Sequence, residues 1–428
     1  MIRILFRAYF LLYFILISVL GPIFAKFVIV NTSLPLLPTE LFILVWLLYK
    51  ISQALKGERF LVYPFSATLV FGIFALGVLG FIRKPDAYAL RYSTMVFYVV
   101  LAFITCDFLE SRKDFKKIIQ AAKLAILLSL ILTLTHLPTS LSSLSAGSVT
   151  TTPGVYYIGV GNFGIYFLIF SWALSEFLSR RRISVEPLIW IILCLCWVLL
   201  FYFHRSAVLA LIAAFASFIL TKPVHFLRGL PKMVVLAVLA SMIFVLSSGY
   251  FSKTGLVSAP AIYHRLYSIL TPGEDYNASW RLSYWQHLIR STFDNPGDTL
   301  WGKGFSLTPS EIDESKEGSL LTAPVIGFHN SFLAVLYKTG LLGLFLIVLF
   351  FGRALSIGFR EKDPFIGIAG LSLIAMMVFA FFNVVLENPY YGFFMWFYSG
   401  AIYKLNQIKN RNQVPMGPQR EVNLALKP

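Results

Sequence analysis

Long apolar runs recur from one end of the chain to the other, separated by short polar stretches. Most reach about 17 residues or more, enough for a helix to cross a bilayer, and the second and eighth are short. Read as membrane helices, they fall at residues 8–30, 36–50, 62–82, 87–109, 119–137, 155–178, 187–203, 206–221, 233–251, 328–352, 365–386 and 390–405. The pattern predicts an all-α polytopic transmembrane bundle of about twelve spans. Gly21-Pro22 is expected to kink the first of them.

One long polar segment, residues 252–327, interrupts the series. It divides the chain into a first set of spans (1–251), a large loop (252–327), a second set (328–405) and a polar tail (406–428) with the composition of a disordered segment. The loop carries its own helix signal. Asn277 or Ser279 can cap a helix running through Arg290, and Asn295-Pro296-Gly297 stops it. Trp280, Tyr284 and Leu288 line one side, beside Trp285 and Ile289. Such aromatics favour the membrane–water boundary, where an arginine lies level with lipid phosphates. Residues 138–153, rich in Ser, Thr and Gly, form a second polar connector that could act as a lid or simply be solvated.

Composition agrees with a membrane protein. Hydrophobic residues make up 58% and charged residues 13% of the 428 positions. The net charge of +16 would suggest nucleic acid in a soluble protein. Here most Lys and Arg sit in short connectors, so no nucleic-acid partner is expected. Placing the N-terminus in the cytoplasm assigns Arg3, Arg7, Lys50, Lys56, Arg59, Arg112, Arg180, Arg228 and the tail from Lys404 to the inner side. The outer connectors then hold few cations, as the positive-inside rule demands. Both termini are therefore expected inside and the 252–327 loop outside, with the first apolar run an uncleaved span. The three cysteines, Cys106, Cys194 and Cys196, lie within spans and read as packing residues. No cofactor motif or metal-ligand cluster is visible, and Gly302-Lys303-Gly304 lacks the spacing of a phosphate-binding loop.

Cations in an outer loop run against the topology rule, so they need another explanation. His329 lies at the start of the tenth span, where Asn330 or Ser331 can cap the helix. The positive end of the helix dipole keeps such an imidazole neutral and able to accept a proton. It could equally hydrogen-bond a loop. Arg205, in the tight turn Phe203-His204-Arg205-Ser206, is held at the membrane surface and could bind phosphate bidentately or anchor a helix end. Arg281 could do the same or pair with Glu274 or Asp275. His204, Arg265, Tyr284, Trp285, Arg290, Lys303, Asn330 and Lys338 are secondary candidates, with Arg91 and Glu387 in the same rank. Lys338 lies deep in its span, and helix geometry turns it away from His329.

Three local patterns resemble the O-antigen ligase and polymerase superfamily. Phe203-His204-Arg205-Ser206-Ala207 is similar to its arginine entry to a span. Arg281-Leu282-Ser283-Tyr284-Trp285 followed by Gly302-Lys303-Gly304-Phe305 is similar to its loop pattern R-xxx-W … GxGF. His329-Asn330-Ser331-Phe332-Leu333 with Gly340-Leu341-Leu342-Gly343-Leu344 is similar to its HNxxL … GxxGL span. His204 stands where the first pattern often has a small polar residue. The resemblance implies metal-independent, cofactor-free glycosyl transfer at the periplasmic face of a bacterial inner membrane. The donor would be a glycan on undecaprenyl diphosphate, with Arg205 and Arg281 as diphosphate ligands and His329 as base. The acceptor would be the lipid A core oligosaccharide, which a basic helical loop suits. A polymerase extending a second lipid-linked glycan is the alternative within the superfamily. A polysaccharide or lipid transporter is the alternative outside it, although residues 1–214 and 215–428 show no repeat.

Two outcomes follow. Cysteines introduced into residues 252–327 of a cysteine-free background should react with impermeant thiol reagents in spheroplasts, and cysteines at Arg181 or Arg228 should not; the opposite pattern reverses the orientation. Transfer by purified enzyme should survive EDTA, because arginines rather than a metal neutralise the diphosphate; activity that EDTA abolishes and magnesium restores contradicts this.

Overall fold

A computed structural model of the chain describes residues 2–21, 24, 38–57, 63–65, 67–83, 85, 87–134, 162–180, 184–198, 205–253, 276–305 and 328–413. His204, Arg265, Pro22, the 138–153 connector and the tail beyond residue 413 lie outside the described residues, as do 254–275 and 306–327 of the large loop. The side chains of Arg91 and Trp280 are not described either.

The described residues are helical, with no strand among them. In chain order the helices are α1 (Ile2–Leu20), α2 (Pro38–Leu55), α3 (Ala67–Arg83), α4 (Ala87–Phe97), α5 (Val100–Phe108), α6 (Arg112–Leu134), α7 (Phe163–Ser179) and α8 (Val185–Cys196). They continue with α9 (Arg205–Thr221), α10 (Pro223–Lys253), α11 (Tyr276–Phe293), α12 (Pro296–Trp301), α13 (Ser331–Arg360), α14 (Pro364–Phe381) and α15 (Pro389–Gln413).

Each expected span overlaps a helix, but α1, α13 and α14 alone are long and apolar enough to cross a membrane by length and composition. The others fall short for identifiable reasons. The expected span at 87–109 is broken at Tyr98-Val99 into α4 and α5, and the first turns of α6 carry Arg112, Lys113, Lys116 and Lys117. The count of twelve crossings therefore goes beyond what the described helices show. The first helix also differs from expectation. It begins at Ile2, taking Arg3 and Arg7 into the helix, and ends at Leu20, where Gly21 (φ 48°) donates its N–H to Ile17 O at 3.1 Å.

The bundle is built around α14. Its sequence, PFIGIAGLSLIAMMVFAF, is apolar on every face, the pattern of a helix surrounded by others. It packs against α7, α9, α13 and α15. One end of the bundle is laced by ion pairs. Arg3 Nε donates to Glu110 Oε1 at 2.6 Å, Arg7 pairs with Glu110 and Asp114, Arg112 with Asp363, and Lys409 with Glu361. The starts of α9, α13 and α15 gather at the opposite end with the end of α14 and the loop helix α11.

The α13 helix is not continuous. At Gly340 (φ 68°, ψ −170°) the backbone leaves the helical region, which withdraws the donors that Tyr337 O and Lys338 O would meet one turn on. The loop after α12 replaces them. Lys303 N–H donates to Tyr337 O at 2.8 Å and Gly304 N–H to Lys338 O at 3.1 Å. Arg83 of α3 holds the same loop by a hydrogen bond to Gly302 O. The approach leaves no room for a side chain. A Cβ on Gly302 (φ 75°) would sit 2.3 Å from Lys338 C, and one on Gly340 2.3 Å from Leu300 O. Gly302-Lys303-Gly304 is thus a backbone strap across a broken helix.

Gly302→Ala should accordingly lower the thermal transition of the detergent-solubilised protein, by strain worth roughly 1–3 kcal/mol plus the clash. Gly352→Ala, in α13 with nothing within 4 Å of its added Cβ, should match or exceed wild type. Equal stability of Gly302→Ala and wild type would show that the strap is not fixed by close approach.

Candidate functional site

The turn at residues 382–388, between α14 and α15, is where the candidate residues meet. It is polar chain amid apolar helices, so its backbone groups require partners. Ser331, the first residue of α13 and fully buried, supplies them. Its Oγ accepts from Val385 N at 2.7 Å and Leu386 N at 3.0 Å, and lies 2.8 Å from Glu387 Oε2 and 3.1 Å from Asn383 O. With both N–H groups donating in, the hydroxyl proton points out towards Glu387 or Asn383.

Arg205 and Arg281 approach the same turn from two other elements. Arg205 is the first residue of α9 and is half-buried. Its neighbour Ser206 accepts from Asn383 Nδ2 at 2.6 Å, which ties the start of α9 to the turn. Asn383 Nδ2 also donates to Phe379 O at 2.9 Å. Arg281 of α11 directs its NH1 to Phe382 O, 3.4 Å away. One turn further along α11, Trp285 Nε1 donates to Phe328 O at 3.0 Å, and its ring meets Phe381 edge-on at 6.3 Å. Tyr284 is buried and stacks on Phe328 at 6.2 Å.

His329 is bracketed by these contacts. On one side Phe328 is clamped by Tyr284 and Trp285. On the other Asn330 caps α13, its side chain accepting from Leu333 N at 3.0 Å. His329 therefore precedes the cap rather than lying in the first turn, and it is the non-glycine residue held at positive φ (51°) among those described. Histidine tolerates this region better than most residues, yet holding it there costs roughly 1–3 kcal/mol, which the surrounding contacts must offset. The half-buried imidazole stands at the N-terminal end of α13.

The secondary candidates separate clearly. Lys338 is fully buried, with Nζ 3.5 Å from Phe305 O and 5.4 Å from the Phe328 ring centroid. A helical side chain leans towards the N-terminus, so this long one reaches back beneath Phe328, the neighbour of His329. Lys303 bends back into the loop, hydrogen-bonding Ser291 Oγ and lying 5.5 Å from the Tyr337 ring. Arg290 is exposed near the end of α11.

Three participants were not among the leading candidates. From the sequence Ser331 was one of two possible caps, Asn383 was not singled out, and Glu387 stood in the second rank. Glu387 Oε2 meets Ser331, whereas Oε1 is sealed from solvent without a hydrogen-bond partner, although the residue as a whole is half-buried. Burial pushes its carboxyl above the ordinary range, against the Ser331 hydrogen bond, its own backbone N–H and the Lys338 charge, which pull it down. Asn383, Glu387 and Asn388, clustered in the middle of a largely apolar 365–405 stretch, were the available signal. Among the described residues, no group of three or more His, Cys, Asp or Glu is placed to hold a metal ion.

The cations thus stand on separate elements around one buried turn, with a strained histidine beside it. No curated protein matches the chain. Residues 189–348, which include Arg205, Arg281 and His329, match the family model described as O-antigen ligase. Over this stretch the chain is similar to the O-antigen ligase family.

Proposed function

We propose that the protein transfers a glycan from undecaprenyl diphosphate to the lipid A core oligosaccharide, at the periplasmic face of a bacterial inner membrane. The observation that carries this reading is the placement of Arg205 above an apolar groove. Val208, Ile212 and Phe215 lie on the same face of α9 as Arg205, and they line a cavity of about 220 Å³ with Phe170, Ile191 and Leu236. By helix rise the groove runs about 5–15 Å along α9 from Arg205. A fixed cation at the head of an apolar groove suits a ligand with an anionic head and a hydrocarbon tail.

The chemistry follows from what such a donor needs. An acceptor hydroxyl attacks the anomeric carbon while the bond from that carbon to the diphosphate oxygen breaks. The proton passes to the neutral His329 imidazole, and the electron pair leaves with undecaprenyl diphosphate. A diphosphate is a good leaving group and needs no general acid. It needs its growing charge held, which two guanidinium groups from α9 and α11 can do by bidentate hydrogen bonds. A single displacement inverts the anomeric centre. Arg290 and the remaining cations of the loop suit the phosphorylated core of the acceptor.

His329→Ala should lower transfer by about 10²–10⁴-fold while still binding the lipid-linked donor. Arg205→Lys and Arg281→Lys should both weaken donor binding and slow transfer, since an ammonium cannot reproduce the fork. Each variant is to be compared with wild type after monodisperse elution in detergent. Near-normal transfer by a folded His329→Ala protein removes the base from the mechanism.

A further inference from the structure

Glu387 lies 56 positions from Ser331 in the chain, beyond the stretch matched to the family, yet its carboxylate accepts the Ser331 hydroxyl at 2.8 Å. Ser331 has already received two backbone N–H groups of the turn, so its own proton is left for Glu387 Oε2 at 2.8 Å or Asn383 O at 3.1 Å, and the carboxylate is the nearer acceptor. Ser331 begins α13 two residues after His329. The α11 aromatics hold Phe328 on the other side. His329 is in a left-handed conformation that relaxes unless both sides are held. We propose that Glu387 is a positioning residue: its carboxylate, acting through the Ser331 hydroxyl, holds the start of α13 so that the His329 imidazole stays in place for the reaction.

The inference rests on the proposed role of His329 as base. The other charged groups around it have their own partners. Lys338 faces Phe305 O and the Phe328 ring, and acts on Glu387 through its charge. Arg281 directs NH1 to Phe382 O, and Lys303 is bonded to Ser291. Arg205 adjoins the turn through Ser206. The carboxylate of Glu387 could therefore matter through its reach to Ser331 or through its charge beside Lys338, and the two can be separated.

Glu387→Gln keeps the side-chain length and an acceptor oxygen but loses the charge. Glu387→Asp keeps the charge but falls one methylene short of Ser331. The readouts are kcat and KM for the lipid-linked donor, together with the rate at which diethyl pyrocarbonate modifies His329 in the purified, monodisperse protein, followed by mass spectrometry. The expected result is a Gln variant within about threefold of wild type in kcat. The Asp variant should lose about 10²-fold in kcat with donor KM little changed, the scale of a slightly misplaced catalytic group. His329 modification should change in the Asp variant and not in Gln. Ser331→Ala should reproduce the Asp variant, and combining it with Glu387→Asp should add little.

An active Asp variant beside an impaired Gln variant overturns the inference in favour of charge. Wild-type behaviour in both, or loss in both with unchanged His329 modification, also overturns it. His329→Ala is measured in parallel. If it remains active, the proposed base is wrong, and the modification rates still decide whether Glu387 positions His329. If it is inactive and the Glu387 variants behave as wild type, the positioning inference alone fails.

Discussion

A polar turn inserted among apolar helices must have its backbone groups satisfied by protein, and Ser331 is where that requirement is met. An N–H left without a partner at such depth costs roughly 1–3 kcal/mol. One hydroxyl takes two of them, from Val385 and Leu386, and passes its own proton onward. The consequence is geometric. The start of α13 cannot shift without stranding the 382–388 turn, and that turn is also bonded to α9 through Asn383 and to α11 through Phe382. The same logic recurs lower in α13, where the Gly302–Gly304 strap satisfies carbonyls freed at Gly340.

This joint explains how a site can be rigid at the end of a helical bundle. Arg205 begins one helix, Arg281 lies on the loop helix, and His329 precedes a third. None is close to another in sequence. Each is placed by backbone or side-chain bonds to a common turn rather than by its own helix alone. The arrangement sets fixed cations beside a strained imidazole, above a groove of purely apolar side chains along α9.

Much of this was legible in the sequence because it depends on local pattern. The stop of α11 at Asn295-Pro296 and the Asn330 cap follow from capping residues next to helix-forming segments, whereas α11 already begins at Tyr276, so Asn277 and Ser279 lie inside it rather than capping it. Arg205 and His329 were visible as ionisable residues at the edges of apolar runs, and Arg281 as a cation within the polar loop. What was not legible depends on long-range pairing. The Ser331–Glu387 contact links residues 56 positions apart, and Asn383 reaches Ser206 across 177. The contact of Lys338 with the Phe328 ring was not legible because face counting treats a lysine as its Cα alone, whereas its long side chain leans back towards the helix start. Gly302-Lys303-Gly304 matched no ligand motif, and its function is to close over the break at Gly340. The first helix was placed too late because Arg3 and Arg7 looked like flanking charges, while in the fold they pair with Glu110 and Asp114.

The central claim is that this joint carries out glycosyl transfer from a lipid diphosphate. Its most direct test is reconstitution of the purified protein in liposomes with a lipid-linked glycan and a lipid A core acceptor, following both the glycan and the carrier. The account predicts that glycan appears on the acceptor while free undecaprenyl diphosphate accumulates in equal amount. Movement of the glycan across the bilayer still attached to its carrier, with no diphosphate released, would contradict it and identify a transporter.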